Sequence, residues 1–491
     1  MSLPEPEILL TPIEMARVDA AAIHSGISGF ALMLRAGEAV AACALRHYPA
    51  ARRFTVFCGP GNNGGDGYVA ASALARSGAD VRVLAFGEPE RLTGDASIAR
   101  AAWSGTVENL EAYTPLAGEV VIDALFGAGL ARDVPEIVQA LIATVAETRT
   151  PVLAVDLPSG IDGATGKIRG AAFRAERSVT FVTRKPGHVL LPGRSHCGAI
   201  EVFDIGIPQR IVSAEAGKLW INGPAIFQSS RRTTSAEDHK YRRGHLTVFS
   251  GPAISTGAAR LSAGAALKAG AGLVTLASPG DALAANEAHL TAVMLAPVDT
   301  LADVETWLSD QRHNAFVLGP GFGDRDKARS YGLAVARNGR NLVLDADGIS
   351  AFAGEASALR DAFAGSPGQL VITPHEGEFA RLFPEIAKSE EGKVEKALAA
   401  AIAIGGIAVY KGADTVIACP DGRAAIEEKA PATLATAGSG DVLAGIIGAN
   451  LANGMPAFEA ACAGVHQHGQ AALRAGRGMT AEDLASHVRS D

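Results

Sequence analysis

Short apolar runs alternate with longer amphipathic stretches from one end of this chain to the other. Phe54-Thr-Val-Phe-Cys58, Val81 to Phe86, Val120 to Asp123, Val152 to Asp156 and Val179 to Val182 are rich in β-branched and aromatic residues and predict buried strands. Between them the pattern predicts helices. Thr11 is placed to cap the first, Pro12 suits its first position, and Glu14 completes a capping box. A second helix is expected over Gly29 to Arg46 and a third over Tyr68 to about Arg76. A second series follows: His245 to Ser250, Leu273 to Ala277, Phe316 to Gly319, Leu342 to Asp345, Leu370 to Thr373, Ala408 to Lys411 and Val416 to Ala418, with an Ala-rich helix over Ala258 to Ala271. Strands alternating with helices imply parallel sheets joined by right-handed crossovers, an α/β fold.

The two series are separated by a composition shift at 213–244, where Gln228 to Lys240 is polar and lacks periodicity. At 491 residues the chain exceeds a single core. The expected organisation is a domain over 1–213, a linker over 214–224 and a second domain over 225–491. Nearly half the residues (48%) are apolar and 20% are charged, enough to bury two cores. Abundant Ala and Gly suit closely packed α/β layers. A net charge of −8 argues against nucleic acid as a partner, because phosphate backbones need a basic face. Five cysteines lack CxxC spacing, which points to a reducing cytoplasm and not to a zinc motif or disulfide framework. No secretory signal is read in the first residues, which lack a basic n-region and an apolar h-region. The uncharged stretch Val442 to Phe458 is broken by Gly, Asn and Pro, and reads as a buried helix and loop, not a membrane span.

Two glycine-rich, acid-containing loops carry the candidate chemistry. The first, Gly59-Pro-Gly-Asn-Asn-Gly-Gly-Asp66-Gly67, follows a strand and contains a GxGxxG pattern. Asp66 would repel a pyrophosphate there, which departs from a dehydrogenase. Its oxygen-rich side chains suit a bound cation, with Asp123 and Ser159 on neighbouring strand ends able to complete the shell. The alternative is a tight turn whose Asn and Asp cap the next helix. Asp156-Leu-Pro-Ser-Gly-Ile-Asp162 can present a proton acceptor and a hydroxyl to one pocket, or can be an ordinary strand exit.

The second loop, Gly438-Ser-Gly440-Asp441, exposes N–H groups at a helix start, which suits a transferring phosphoryl group, with Asp441 placed to accept a hydroxyl proton. Asp441 as a simple helix cap is the alternative. Tyr410-Lys-Gly-Ala-Asp-Thr415 ends a strand with a lysine able to meet phosphate, or to face solvent. Thr373-Pro-His-Glu-Gly-Glu-Phe379 sets a His and two acids at another strand end, a weak metal pattern. Gly319-Pro-Gly-Phe-Gly-Asp324 can admit a ligand close to backbone, and Asp345 and Asp347 follow another strand.

The first loop, Asp123-Ala-Leu-Phe-Gly-Ala-Gly-Leu-Ala-Arg132 and Val155-Asp-Leu-Pro-Ser-Gly160 together resemble the NAD(P)H-hydrate epimerase domain. That resemblance implies a Rossmann-like three-layer fold over 1–213. It places Asn62, Asn63, Gly64, Gly65 and Asp66, with Gly127, Ala128, Gly129, Leu130, Ala131, Arg132 and Asp133, around a hydrated nicotinamide dinucleotide. Asp156 would sit at the reacting centre as the catalytic acid/base of the epimerisation, and Asn63, Asp123 and Ser159 would hold potassium. The motifs at 373–379, 410–415 and 437–441 resemble the ADP-dependent NAD(P)H-hydrate dehydratase, a ribokinase-like α/β domain over 225–491. By that resemblance Lys411, Gly412, Ala413, Asp414, Thr415 and Gly440 bind ADP, with magnesium. Ala258, Gly321, His375 and Asp441 would face the hydrated dinucleotide, with Asp441 catalytic. The implied activity is repair of hydrated NADH and NADPH: the first domain interconverts the R and S epimers, and the second dehydrates the S epimer at the expense of ADP, releasing AMP and phosphate. A homo-oligomer is expected. The competing reading is a small-molecule kinase fused to a non-catalytic nucleotide-binding or scaffold domain.

Overall fold

The helix Pro12–His24 begins as its sequence dictates: Thr11 caps it, Pro12 takes the first turn, and Glu14 closes the capping box. The structure, a computed structural model, describes residues 5–232 and 240–490. Residues 8–217 form one unit, and residues 218–491 with the stretch ending at Glu7 form the other. Part of the polar stretch 228–240, residues 233–239, lies outside the described residues.

The sheet of the first unit is wholly parallel. Its strands are β1 (Arg53–Cys58), β2 (Asp80–Ala85), β3 (Val107–Asn109), β4 (Glu119–Ala124), β5 (Val152–Val155), β6 (Arg177–Phe181) and β7 (Ala199–Phe203). They lie in the order β3-β2-β1-β4-β5-β6-β7. β4 and β5 are buried along their whole lengths, as central strands covered on both faces are. The strand order reverses between β1 and β4, the kind of point where open α/β sheets bind ligands. The outer strands β3 and β7 carry no continuous apolar run, and the hydrophobic pattern does not reveal them.

One expectation needs correction. The helix after β1 runs Asn62–Arg76 and does not wait until Tyr68, so the glycine loop is itself the first turn of a helix. Its cap is Gly61, with no side-chain cap, so neither asparagine nor Asp66 is a capping residue. The glycines serve packing. A Cβ at Gly64 would collide with the Gly59 carbonyl, and one at Gly67 would lie 2.7 Å from the Ala124 side chain. Only a bare backbone lets this helix press into the β1–β4 crevice.

The second sheet comprises β8 (Leu219–Ile221), β9 (His245–Phe249), β10 (Leu273–Ser278), β11 (Met294–Pro297), β12 (Ala315–Leu318), β13 (Asn341–Leu344), β14 (Leu370–Ile372), β15 (Ile407–Tyr410), β16 (Val416–Ala418) and β17 (Ala424–Ile426). Their order is β11-β10-β9-β12-β13-β14-β15-β16-β17-β8. The first seven in that order are parallel, and β15, β16 and β17 form an antiparallel meander. β8, from within the stretch 214–224, pairs in parallel with β17. The helix Ser439–Ala452 is buried on almost every side. It packs against the helix Thr256–Lys268 so closely that a Cβ at Gly445 would collide with the Ser262 carbonyl. Among the described residues no helix is long and apolar enough to cross a membrane. All five cysteines are buried and free.

Candidate active sites

A cavity of about 720 Å³ lies in the first unit, where the chain leaves β1, β4, β5 and β6. Asn62, Asn63, Asp66, Gly127, Ala128, Gly129, Leu130, Ala131, Arg132 and Asp156 line it. Gly64 and Gly65 lie behind this wall, buried against Gly59 and Met33, and Asp133 is exposed outside it. Met33 and Leu32 close the apolar side, and Asp19 and Lys185 add charges.

Asp156 is the residue after β5, and its φ is +63°, a left-handed conformation that a non-glycine residue adopts only when its surroundings enforce it. Both carboxylate oxygens are engaged. Lys185 Nζ lies 2.8 Å from Oδ1, the Thr180 hydroxyl donates to Oδ1 at 2.9 Å, and the Ala128 N–H donates to Oδ2 at 2.8 Å. Burial raises the proton affinity of Asp156, but Lys185, His188 and these donors prevail and hold it near 2. His188 donates from Nε2 to the Asp156 carbonyl at 2.8 Å while Nδ1 accepts from the Lys185 N–H at 3.0 Å. Burial holds this imidazole neutral, near 4, which fits that one-donor, one-acceptor role.

Asp123 and Ser159 meet directly behind the cavity. Ser159 donates its hydroxyl to Asp123 Oδ1 at 2.6 Å and its N–H to Oδ2 at 2.7 Å. The same hydroxyl accepts from the Phe126 N–H at 2.8 Å. Asn63 Oδ1 approaches Gly127, where a Cβ would lie 3.1 Å from it, and the Asn63 amide nitrogen is buried without a partner. Burial lifts Asp123 to about 6, because no cationic side chain pairs with it among the described residues. A carboxylate, a hydroxyl and an amide oxygen are the hard donors an alkali cation takes, and a cation would restore the charge of Asp123. The donor set fits potassium.

In the second unit, chain segments leaving β13, β14 and β15 meet the start of the helix Ser439–Ala452. Gly438 caps that helix in a left-handed conformation and no side chain caps it, so Asp441 is free of the capping role. Lys411 Nζ bonds Asp345 Oδ1 at 2.9 Å, and Thr373 donates to the same oxygen at 2.8 Å. Glu378 lies 3.9 Å from Lys411 Nζ. Gly440 covers this group: a Cβ there would lie 3.2 Å from Lys411 Nζ and 3.5 Å from Asp345 Oδ2. Burial first, then Asp345, raises Asp441 to about 7, with Lys411 opposing.

The remaining predicted residues surround this centre. Ser262, one turn after Ala258 on the same helix, donates its hydroxyl to the Asp441 carbonyl at 2.7 Å. Gly321, at φ +61°, approaches Ala258: a Cβ on it would lie 3.2 Å from the Ala258 side chain. His375 caps the helix Glu376–Leu382, its Nδ1 accepting from the Gly377 N–H at 3.0 Å, with Nε2 3.4 Å from Glu378. In the 411–415 hairpin, Gly412 and Ala413 are exposed, Asp414 pairs with Lys393 at 2.6 Å, and the Thr415 hydroxyl donates to the Gly412 carbonyl at 2.8 Å. The Lys411 side chain turns inward to Asp345, not out to solvent.

Sequence reasoning missed Asp19, Thr180, Lys185 and His188 in the first site; in the second it gave Asp345 and Thr373 no role and Glu378 only a place in a weak metal pattern. Lys185 and His188 did carry a signal: they flank Pro186-Gly187 just after β6.

Comparison with known proteins covers both units. The family model described as YjeF-related protein N-terminus matches residues 29–187, and the one described as NAD(P)H-hydrate dehydratase matches residues 246–490. The bifunctional NAD(P)H-hydrate repair enzyme Nnr of Escherichia coli (strain K12) is 33% identical over 94% of this chain and 90% of its own length. The enzyme of that name from Moorella thermoacetica is 35% identical over 97% of this chain and 95% of its own length. Among solved structures, an ADP/ATP-dependent NAD(P)H-hydrate dehydratase from Bacillus subtilis, co-crystallised with ATP/Mg2+, is 22% identical over 55% of this chain and 96% of that one, with a TM-score of 0.47.

Proposed function

The chain belongs to the family of bifunctional NAD(P)H-hydrate repair enzymes, and from that premise we propose a division of labour between its two units. The first interconverts the R and S epimers of hydrated NADH and NADPH. The second dehydrates the S epimer, using ADP and releasing AMP and phosphate.

The observation that carries this reading is Asp441, without an ion-pair partner among the described residues, at a glycine-rich helix start and poised near neutrality with Lys411 and Asp345 beneath it. Hydroxide is a poor leaving group and phosphate a good one. Asp441 takes the proton of the substrate hydroxyl while ADP gives that oxygen its terminal phosphoryl group. The N–H groups at Gly438 to Gly440 face the charge of the moving group. Phosphate then leaves as the ring nitrogen donates its electron pair, and loss of a proton from the neighbouring ring carbon of the resulting iminium restores the double bond. Gly412 and Ala413 offer exposed backbone to the nucleotide, with Asp414 and Thr415 holding the hairpin's shape. Magnesium bound with the nucleotide would supply counter-charge to its phosphates. Ala258, Gly321 and His375 border the space for the hydrated dinucleotide.

In the first unit, Asn62, Asn63, Asp66 and the Gly127–Arg132 segment hold the dinucleotide, and Asp156 faces its altered ring. Asn63, Asp123 and Ser159 would hold potassium, which would supply positive charge to the site. The protein works in the cytoplasm as a homo-oligomer. The test is to give purified protein mixed-epimer NADPH hydrate with ADP and follow the return of nicotinamide absorbance. Recovery of both epimers, faster than the uncatalysed exchange, is expected. Recovery that stops at one epimer refutes the role of the first unit, and no recovery refutes that of the second.

A further inference from the structure

We propose that Asp19, on the helix Pro12–His24, carries the proton of the epimerisation, while Asp156 remains ionised as a fixed counter-charge. The inference rests on the epimerase reading of the first unit and assigns it a residue outside the matched segment 29–187.

Asp156 is badly placed to move a proton. Lys185, Thr180 and the Ala128 N–H already occupy its two oxygens, and taking up a proton would break a buried ion pair. Asp19 lines the same cavity, and its carboxylate makes no hydrogen bond or ion pair among the described residues. Its neighbours on the cavity wall are charged: Asp66 on the helix Asn62–Arg76, Asp95 on Gly94–Ala102, Arg132 after β4, Asp156 after β5 and Lys185 after β6. On its own helix, Arg17 is engaged by Glu215 at 3.3 Å. Burial raises Asp19 to about 6, Lys185 opposes, and Asp156 pushes it further up. A carboxyl near 6 can both take and return a proton at neutral pH.

The hydroxyl-bearing carbon of the substrate also bears the ring nitrogen. Asp19 takes the hydroxyl proton, the oxygen lone pair forms a carbonyl, and the carbon–nitrogen bond breaks with its electrons going to nitrogen. That pair is delocalised through the remaining double bond into the carboxamide, and Asp19 delivers the proton to the nitrogen. The aldehyde arm rotates, the nitrogen attacks its other face, and Asp19 carries the proton back to the oxygen. Only the configuration has changed. Fixed negative charge at Asp156 keeps the Lys185 ammonium from depressing Asp19 fully.

The experiment supplies resolved R-epimer NADPH hydrate to the full chain and follows its approach to the epimer mixture by chromatography across pH 5 to 9. In the wild type, kcat should rise through a limb near 6. Asp19→Asn should lower kcat about 100-fold with KM within about threefold, and should abolish that limb. Asp19→Glu should restore part of the rate with the limb displaced. Denaturant unfolding of the first unit, with a midpoint unchanged from wild type, reports that this unit is folded in each variant. An Asp19→Asn protein that keeps a third or more of the wild-type kcat, or keeps the limb, overturns the assignment. Wild-type protein no faster than the uncatalysed exchange overturns the epimerase reading and this assignment with it, a result recognisable without any variant.

Discussion

Each half of this molecule sets an aspartate beside a lysine, and the two lysines give their short contact to different acids. Lys185 pairs with Asp156 directly, at 2.8 Å, and Asp156 sits near 2. Lys411 gives its short contact, 2.9 Å, to a different acid, Asp345, and Asp441 sits near 7. Both aspartates are removed from water, which on its own would raise both. What separates them is which carboxylate the lysine touches. A direct ion pair makes an acid that is always charged and rarely basic. A lysine held by a third party leaves the neighbouring acid able to exchange protons at neutral pH. The first arrangement suits holding and polarising a substrate, and the second suits accepting a proton from an alcohol.

The comparison breaks most sharply if the unpaired aspartate is dispensable. Asp441→Asn removes the proton acceptor without changing size, and should lower kcat for ADP-driven dehydration about 1,000-fold. Epimer exchange by the first unit should stay at its wild-type rate. Chromatography of both epimers in one reaction measures both quantities, and near-normal dehydration would refute the basic role of Asp441.

Removing the direct partner should act on stability. Lys185→Met leaves Asp156 buried, bonded only by neutral donors and short of a cation. Breaking a buried pair in this way costs about 3 kcal/mol. The Asp156 carboxyl should also move up from about 2, since its main depressing charge is gone. Denaturant unfolding of the first unit at pH 7 is the measurement. A loss below about 1 kcal/mol would mean the pair is solvated and not the buried lock described here.

The unpaired aspartate, by contrast, should weaken its own domain. Its carboxyl is raised from 3.8 to about 7 in the fold, so its contribution to stability is fully present below 3.8 and lost as pH rises through 7. Above that pH the fold carries a half-buried charge beside Asp345, with Lys411 giving its short contact to that acid instead. Asp441→Asn should therefore stabilise the second unit at pH 8 by about 2 kcal/mol, short of the full linkage value because Asp441 keeps some solvent contact. At pH 4 the two proteins should melt together. A variant no more stable at pH 8 than at pH 4, relative to wild type, would show that Asp441 is not raised.

The sequence reveals some of these features and hides others, for a physical reason. The helix at Pro12 is written in four consecutive residues, because capping is local. The central strands are legible as apolar runs, since burial on both faces forces that composition. β3 and β17, three residues each, leave no such run. The string of glycines at 59–67 reads as a turn but serves a helix pressed into a sheet, and that distinction lies in Ala124 and Gly59, not in the string. Asp123 and Ser159 are foreseeable as strand-end residues, yet their bonding spans 36 residues. Asp345 and Lys411 stand 66 residues apart, and Thr180 and Asp156 24 apart. Which acid a lysine chooses depends on strand order, and strand order is not local.

That choice can be altered with one substitution. Asp345→Asn removes a charge that raises Asp441 and at the same time frees Lys411, whose ammonium lowers it. Both changes push the Asp441 carboxyl in the same direction, downward. The acid limb of kcat/KM for dehydration should move from about 7 toward more acidic pH by about one unit. The plateau should fall as well, because a weaker base accepts the hydroxyl proton less readily. The variant would then resemble the first site, with a lysine available to the working aspartate. A purely structural role for Asp345 predicts lower activity at every pH with the limb unmoved. A limb that shifts upward would mean that Lys411 leaves the centre when its partner is lost, so that Asp345 holds the lysine near Asp441 and does not hold it away.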